Sequence, residues 1–439
     1  MELKIEFTDK EITPWAGMAM MKNLLDRTRI EDQIQRLNMP QPGSNCGYLP
    51  EDILKAFWMS VWCGANKFSH TEVTRQDDVL RRIFDLKRMP SDTTIKRFFE
   101  KFSLPLNNEI FTELYQWFFE QLQFDNYTLD VDSSVLIRYG EQDGAESGYN
   151  SIKPGRKTNH PLLAFISECR MVCNYWHRSG KAYTSNNFEA FLEDTLNKLK
   201  NKKIGLFRAD SGFCGDKIFK CLENEQRRIN YVIAARLYVP IKRKLIAQTQ
   251  WFNVAKGIWV AETMHKAQDW DVPRRMIMVR QDVESRPKAT GKQLNLFGYE
   301  DIFQGYRYSC YITNMDLPAY QIWNLYKQRG DAENRIKELK YDFGFDSFNL
   351  KNFWATEAAL NFVMIAYNLI SLFKQVVYQT KEKPQMKTLR YRCFAVGAYF
   401  VKNGNHNILK LSLAMKRREW FTGLWENSKI FSPPVIYEN

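Results

Sequence analysis

Fifteen residues from Tyr326 to Lys340, YKQRGDAENRIKELK, constrain this chain more than any other stretch. Read as one α-helix turning about 100° per residue, they put Tyr326, Arg329, Glu333, Lys337 and Lys340 on a face about 80° wide. Leu325, Ala332, Ile336 and Leu339 form an apolar stripe beside it. Lys327, Asp331, Asn334, Arg335 and Glu338 fill the remaining side, which the pattern assigns to water. One carboxylate therefore lies in a strip of cations, with Glu333 and Lys337 spaced for an i,i+4 pair. A surface helix laced with ion pairs looks the same, and only acids elsewhere in the chain separate the two readings.

Two such acids lie upstream. A strand points alternate residues to one face, so NYTLDVDSSVLIRY, from 126, sets Thr128, Asp130 and Asp132 opposite Leu129 and Val131. Two carboxylates on one strand face repel unless a cation lies between them. Asp132-Ser133-Ser134 equally suits a turn. Further on, IGLFRAD (204–210) is an apolar strand ending on Asp210, where Ser211-Gly212 breaks it.

The spacing Y-x2-R-x3-E-x6-K, matched at Tyr326, Arg329, Glu333 and Lys340, resembles the YREK signature of bacterial insertion-sequence transposases. In those proteins the Glu completes a DDE metal-binding triad on a ribonuclease-H-like core. The resemblance implies Asp132, or alternatively Asp130, as the first metal ligand, Asp210 as the second and Glu333 as the third. It also implies DNA contacts by Tyr326, Arg329 and Lys340; Lys337 joins them by its place on the same helix face. The DSS motif at Asp132 and the loop from Gly148-Tyr149-Asn150 to His160-Pro161-Leu162 look closest to the branch related to piggyBac.

The rest of the chain arranges itself around this core. Residues 1–120 read as a helical region, with a buried helix at 51–65 and an amphipathic one at 90–102 that starts from Pro-Ser-Asp. Basic residues from His70 to Arg97, among them Arg75, Arg81, Arg82, Lys87 and Arg88, with Lys96, Arg97 and Lys101 on the outer side of the second helix, suit a DNA-binding module, or equally the wet face of a packing or dimerisation domain. A core of 121–238 follows, with the first strand, a hairpin at 162–178, a helix at 186–202, the Asp210 strand, a helix and a strand at 231–237. Between Asp132 and the hairpin, Gly, Pro, Asn and Ser are dense and no period holds. Lys153, Arg156 and Lys157 near its end suit a DNA backbone contact, or simply a solvated loop.

Residues 239–316 alternate in short apolar runs broken by SRPKATGK, Gly298 and Gly305, and read as a β-rich insertion. Trp251, Trp259 and Trp270 with Arg274, Arg275, Lys288 and Lys292 there suit base stacking, or ordinary core packing. The core resumes at 317–377 with the signature stretch and a long apolar helix, and 378–439 reads as a small, basic helical appendage. The expected fold is thus α/β: a ribonuclease-H-like mixed sheet interrupted by a β-rich insertion, between an N-terminal helical domain and a C-terminal helical region.

A net charge of +13 favours a polyanionic partner, nucleic acid before anionic membrane. With 44% apolar and 14% aromatic residues the chain has ample material for folded cores. No unbroken run of 18 apolar residues and no basic-then-apolar leader is evident, so a cytoplasmic protein with no membrane is expected. The eight cysteines contain no CxxC pair; Cys169, Cys173 and His177 lack a fourth zinc ligand at fixed spacing, so reduced structural thiols are expected.

Three carboxylates are hard oxygen ligands, suited to Mg²⁺ with Mn²⁺ as a substitute. The resemblance implies two ions, double-stranded DNA as partner (terminal inverted repeats and target), a homodimer in the synapsed state, and cut-and-paste transposition by cleavage and strand transfer. Two other readings stay open at this point: a nuclease or resolvase of the same fold without strand transfer, and a non-catalytic DNA-binding descendant of a transposase.

Overall fold

The computed structural model describes residues 3–430 other than 125, 149, 151–152, 295–302 and 381–383, together with 432, 433, 435 and 436. Tyr149 and Gly298, used above as markers, lie outside the described residues. The N-terminal region is helical. α1 (Pro50–Cys63) carries Pro50 in its first turn, where the missing N–H would have had no partner anyway. α2 (Asp92–Phe99) is capped by Ser91, whose side chain accepts from the Thr94 N–H at 3.2 Å, and α3 (Leu104–Glu120) follows. Several of the region's cations are engaged locally: Arg75 pairs with Glu72, Arg81 with Asp78, Lys96 with Asp92, and Arg88 stacks on Tyr48.

β1 (Asn126–Ser133) then enters the sheet that organises the molecule. The stretch after it, expected to be irregular, contains three very short strands, Leu136–Ile137, Glu146–Ser147 and Lys157–Asn159, paired into a small sheet of their own. Two or three residues are too few for alternation to register in the sequence. β2 (Leu162–Ile166) and β3 (Met171–Trp176) form the expected hairpin. α4 (Phe188–Leu199), β4 (Lys203–Ala209), α5 (Asp216–Glu223) and β5 (Tyr231–Ala235) complete this part.

β1 runs antiparallel to β2 and parallel to β4, and β4 runs parallel to β5. A parallel partner requires a long crossover, which the hairpin and α4 supply. The order β3-β2-β1-β4-β5 with these directions is the ribonuclease-H-like arrangement.

After a helix at Val239–Ala247, the β-rich segment supplies β6 (Phe252–Ala255), β7 (Ile258–His265), β8 (Arg274–Asp282) and β9 (Tyr306–Thr313). These strands form no separate sheet. β9 pairs antiparallel with β5, giving one nine-stranded sheet ordered β6-β7-β8-β9-β5-β4-β1-β2-β3. Two helices, α6 (Ala319–Lys327) and α7 (Gly330–Phe343), carry the signature stretch. α8 (Phe353–Phe373) is capped by Asn352, which accepts from the N–H groups of Trp354 and Ala355.

With its continuation to Tyr378, α8 is long and apolar enough to cross a membrane by length and composition, yet 83% of its most apolar stretch is buried inside the protein. Its polar residues serve the fold. Asn368 bonds both the N–H and the carbonyl of Val172, blocking the open edge of β3. Trp58 and Trp62 of α1 donate to α8 carbonyls at Phe362 and Ala366, 2.9 and 3.1 Å away. A single apolar cluster accordingly runs from Ala16 through the sheet to Leu424.

The C-terminal region departs from the helical expectation. It contains a hairpin, β10 (Gly397–Asn403) and β11 (His406–Ser412), before the helix α9 (Met415–Ile430). The apolar residues of GAYFVK fit either period over so short a run, and the Asn403-Gly404-Asn405 turn decides for a hairpin. β10 bridges the N-terminal stretch at Thr13, and α9 meets it through the Asn23–Ser428 hydrogen bond.

Candidate functional site

Strand register explains how the acids meet. Asp130 on β1 stands opposite Arg208 on β4, and Val131 opposite Ala209. One step further along, Asp132 and Asp210 lie side by side at the C-terminal ends of two parallel strands. The pattern D-x-D on β1 therefore meets R-x-D on β4, so the inner positions form an opposite-charge pair and the outer positions two acids.

The inner pair is buried. Arg208 and Asp130, with side chains 1% and 0% exposed, make two hydrogen bonds of 2.7 and 2.9 Å. Arg208 also donates to the Leu325 carbonyl and to Ser167 Oγ, tying the sheet to α6. Both Asp130 oxygens are thus committed to Arg208. Arg208 is the residue that reading the sequence missed; the signal was an Arg two places before Asp210, on the same strand face.

Asp132 and, from α7, Glu333 converge on Arg329. Its Nη2 stands 2.9 Å from Asp132 Oδ2, without the alignment of a hydrogen bond, and its Nη1 is 3.5 Å from Glu333 Oε1. Asp132 Oδ1 accepts from the Ser133 N–H, and Asp210 Oδ1 from the Gly212 N–H, each at 2.9 Å. Burial pushes the Asp132 carboxyl up to about 6; Arg329 pulls it down, while Asp210 and then Glu333 repel its charge. Burial disfavours the Arg329 cation, but Asp132, Tyr326 and Asp210 hold it above its ordinary value.

The signature stretch is not one helix. Arg329, Asp331 and Ala332 each donate to the carbonyl three residues earlier, a tight turn between α6 and α7. Such a turn advances about 120° per residue instead of about 100°, so the helical wheel slips there. Tyr326 faces the Tyr311 ring of β9, 4.4 Å between centroids, and burial raises its hydroxyl. Arg329, only 4% exposed, turns inward to Asp132.

On α7, Glu333 and Lys337 are exposed, and among the described residues Glu333 pairs with Arg329, not Lys337. Lys340 is half-buried, donates to the Val135 carbonyl at 3.0 Å, and burial lowers its pKa. Two residues assigned to water are buried instead: Arg335 bonds the carbonyls of Ile166 and Ser167, and Glu338 pairs with Lys374. Lys153, Arg156 and Lys157 are exposed, with Lys153 and Arg156 beside the Tyr139 ring.

Elsewhere, Trp251, Trp259 and Tyr306 surround the Arg280 guanidinium, while Trp270 is buried against Phe219 and Arg274. All eight cysteines are free thiols, and the His177 ring bonds the Tyr175 hydroxyl within the core.

Among the described residues, no three His, Cys, Asp or Glu side chains stand close enough together to hold a metal ion. The cation among the three acids is Arg329. Their donor chemistry nevertheless fits a hard divalent ion: every donor is a carboxylate oxygen, two of the acids share one guanidinium, and the Glu333 side chain is 59% exposed.

A family model described as Transposase DDE domain group 1 matches residues 1–429. Among solved structures, a similar one is a cryo-EM structure of the piggyBac transposase synaptic complex with hairpin DNA. It shares 14% sequence identity at a TM-score of 0.47, covering 88% of this chain and 81% of that one. No curated protein matches. With a family model spanning nearly its whole length, the chain belongs to the DDE transposase family, group 1.

Proposed function

We propose that this DDE transposase binds the terminal inverted repeats of its own insertion sequence as a synapsed homodimer, cleaves the element ends and joins them to target DNA. On this reading it works in the bacterial cytoplasm, on nucleoid DNA. The observation that carries the proposal is geometric: Asp132 and Asp210 lie at the ends of neighbouring parallel strands, and Arg329 joins Asp132 to Glu333 on α7. A structural ion pair needs one acid for Arg329; three acids leave an excess of negative charge that suits a divalent cation.

Asp132, Asp210 and Glu333 would hold Mg²⁺, with Mn²⁺ as a substitute. Bound there, two such ions supply the charge that activates the attacking oxygen and stabilises the leaving 3′ oxygen in an in-line displacement at phosphorus. The protein groups do the positioning. The three carboxylates act as acceptors and ligands, not as general acids. Lys337, exposed one turn beyond Glu333, is placed to meet a phosphate beside the cleaved bond. Lys340, held on the Val135 carbonyl, adds fixed positive charge near Asp132, and Lys153, Arg156 and Lys157 extend a basic surface along the DNA backbone. Tyr326 and Arg329 belong to the same proposed DNA-end contact.

The test uses imperfect inverted repeats found in the DNA flanking the gene, prepared as a labelled duplex. Wild type is expected to cut at the repeat end only with Mg²⁺ or Mn²⁺, and to yield strand-transfer products. Glu333→Gln is expected to bind the same duplex and not cut it. A Glu333→Gln protein that still cuts, or wild type that binds without cutting, sinks the assignment. Cleavage without strand transfer would leave a nuclease.

A further inference from the structure

We infer that Arg329 is the resident counter-ion of the carboxylate cluster, and that a divalent cation displaces it and hands its guanidinium to a DNA phosphate. The inference rests on the metal-site reading above and adds a coupling between the metal and the DNA end.

Asp132 has no idle oxygen. Oδ1 accepts from Ser133, and Oδ2 faces the guanidinium at 2.9 Å. The same guanidinium reaches Glu333 Oε1 at 3.5 Å, so it bridges the first and third acids of the cluster. A cation shared by those acids competes with it for the same oxygens, and two cations at that separation repel. This is the physical reason that the three acids, though coupled, do not stand as a ready metal cage.

Once displaced, the guanidinium needs another anion, because a buried cation without one is costly. Its Nε already lacks a hydrogen-bond partner among the described residues. Nearby acids are spoken for: Asp130 by Arg208, and Asp331 by Arg335 and Arg170. A DNA phosphate is the anion that arrives with the substrate, and its oxygens match the guanidinium fork. Open space adjoins the turn. Arg329 occupies the tight turn between α6 and α7, and at the following Gly330 a Cβ would meet nothing within 4 Å. Metal and DNA binding are then reciprocally linked.

The experiment titrates Mn²⁺ into full-length, DNA-free protein, counting free ion by electron paramagnetic resonance. Arg329→Gln is expected to bind Mn²⁺ about tenfold tighter than wild type, since the competing charge is gone. Arg329→Lys keeps that charge and should stay close to wild type, and Glu333→Gln should bind more weakly. In parallel, fluorescence anisotropy measures duplex affinity with and without Mn²⁺ at low temperature. Mn²⁺ should tighten wild-type binding severalfold and leave Arg329→Gln nearly unchanged, with a salt slope smaller by about one.

Equal or weaker Mn²⁺ binding by a folded Arg329→Gln, with Glu333→Gln still impaired, overturns the counter-ion role and leaves the metal site standing. Wild-type duplex affinity that ignores Mn²⁺ overturns the hand-over without recourse to any variant. Mn²⁺ binding indifferent to Glu333→Gln overturns both this inference and the proposed function.

Discussion

At the scale of single residues, two aspartates two positions apart do opposite things. Asp130 is neutralised by Arg208 and contributes to the fold, so Asp130→Asn, which strands a buried guanidinium, should cost about 3–5 kcal/mol in urea denaturation at neutral pH. Asp132 is buried among other acids, and its charge is a burden on the folded state. Its pKa is raised to about 6 from 3.8, so its favourable contribution is complete below about pH 3.8 and lost as the pH rises through about 6. Asn cannot titrate. In chelator, the stability of Asp132→Asn relative to wild type should therefore improve by about 2–3 kcal/mol between pH 4 and pH 7.5, read by calorimetry at both ends. A difference that stays flat across that range would mean that Asp132 is not strained by its surroundings. Alternation alone put both acids on one face; only the register of β4 decided which of them received an arginine.

At the scale of elements, the signature stretch owes its geometry to a break between two helices. A continuous helix would leave Arg329 on the surface strip; the tight turn after Tyr326 rotates it onto Asp132. Helical periodicity located the stripe of Ala332, Ile336 and Leu339 correctly, because those residues lie beyond the turn on α7 and are buried. It misassigned Arg335 and Glu338, whose partners come from β2, its turn and the region after α8. The far end of α7 is held by Gly344, in the left-handed region at φ 67°, with a Cβ there falling 2.6 Å from the Asn66 carbonyl. Gly344→Ala should lower stability by about 2 kcal/mol or more and loosen α7 against the N-terminal region, seen as faster amide exchange along α7.

At the scale of the whole molecule, the N-terminal helices, the central sheet and the C-terminal helix share one apolar cluster. Trp58 and Trp62 reach across to α8 backbone carbonyls, and Asn107 bonds the Trp354 carbonyl and Glu357. Residues 1–120 expressed alone should therefore expose the face built for α8 and fail to give a sharp unfolding transition, whereas the full chain should unfold with its N-terminal and core probes coincident. Separate transitions for tryptophans of α1 and of the β-rich segment would show that the regions are independent. The net charge of +13 is a property of the same scale: it favours a polyanion without locating it, and several N-terminal cations are neutralised by neighbours on their own helices.

The sequence by itself determined the order of core elements and the family, because periodicity and fixed spacing are local properties that a chain carries unfolded. It also determined the long apolar helix, whose burial follows from composition. Only the tertiary structure decided that the β-rich segment extends the central sheet and that Asp130 belongs to Arg208. Each of those outcomes depends on which strand edge or charged group arrives from more than 70 residues away in the chain. The position of Arg329 among the acids is of the same kind: its spacing in the sequence is that of a surface contact, and burial against β1 makes it a counter-ion.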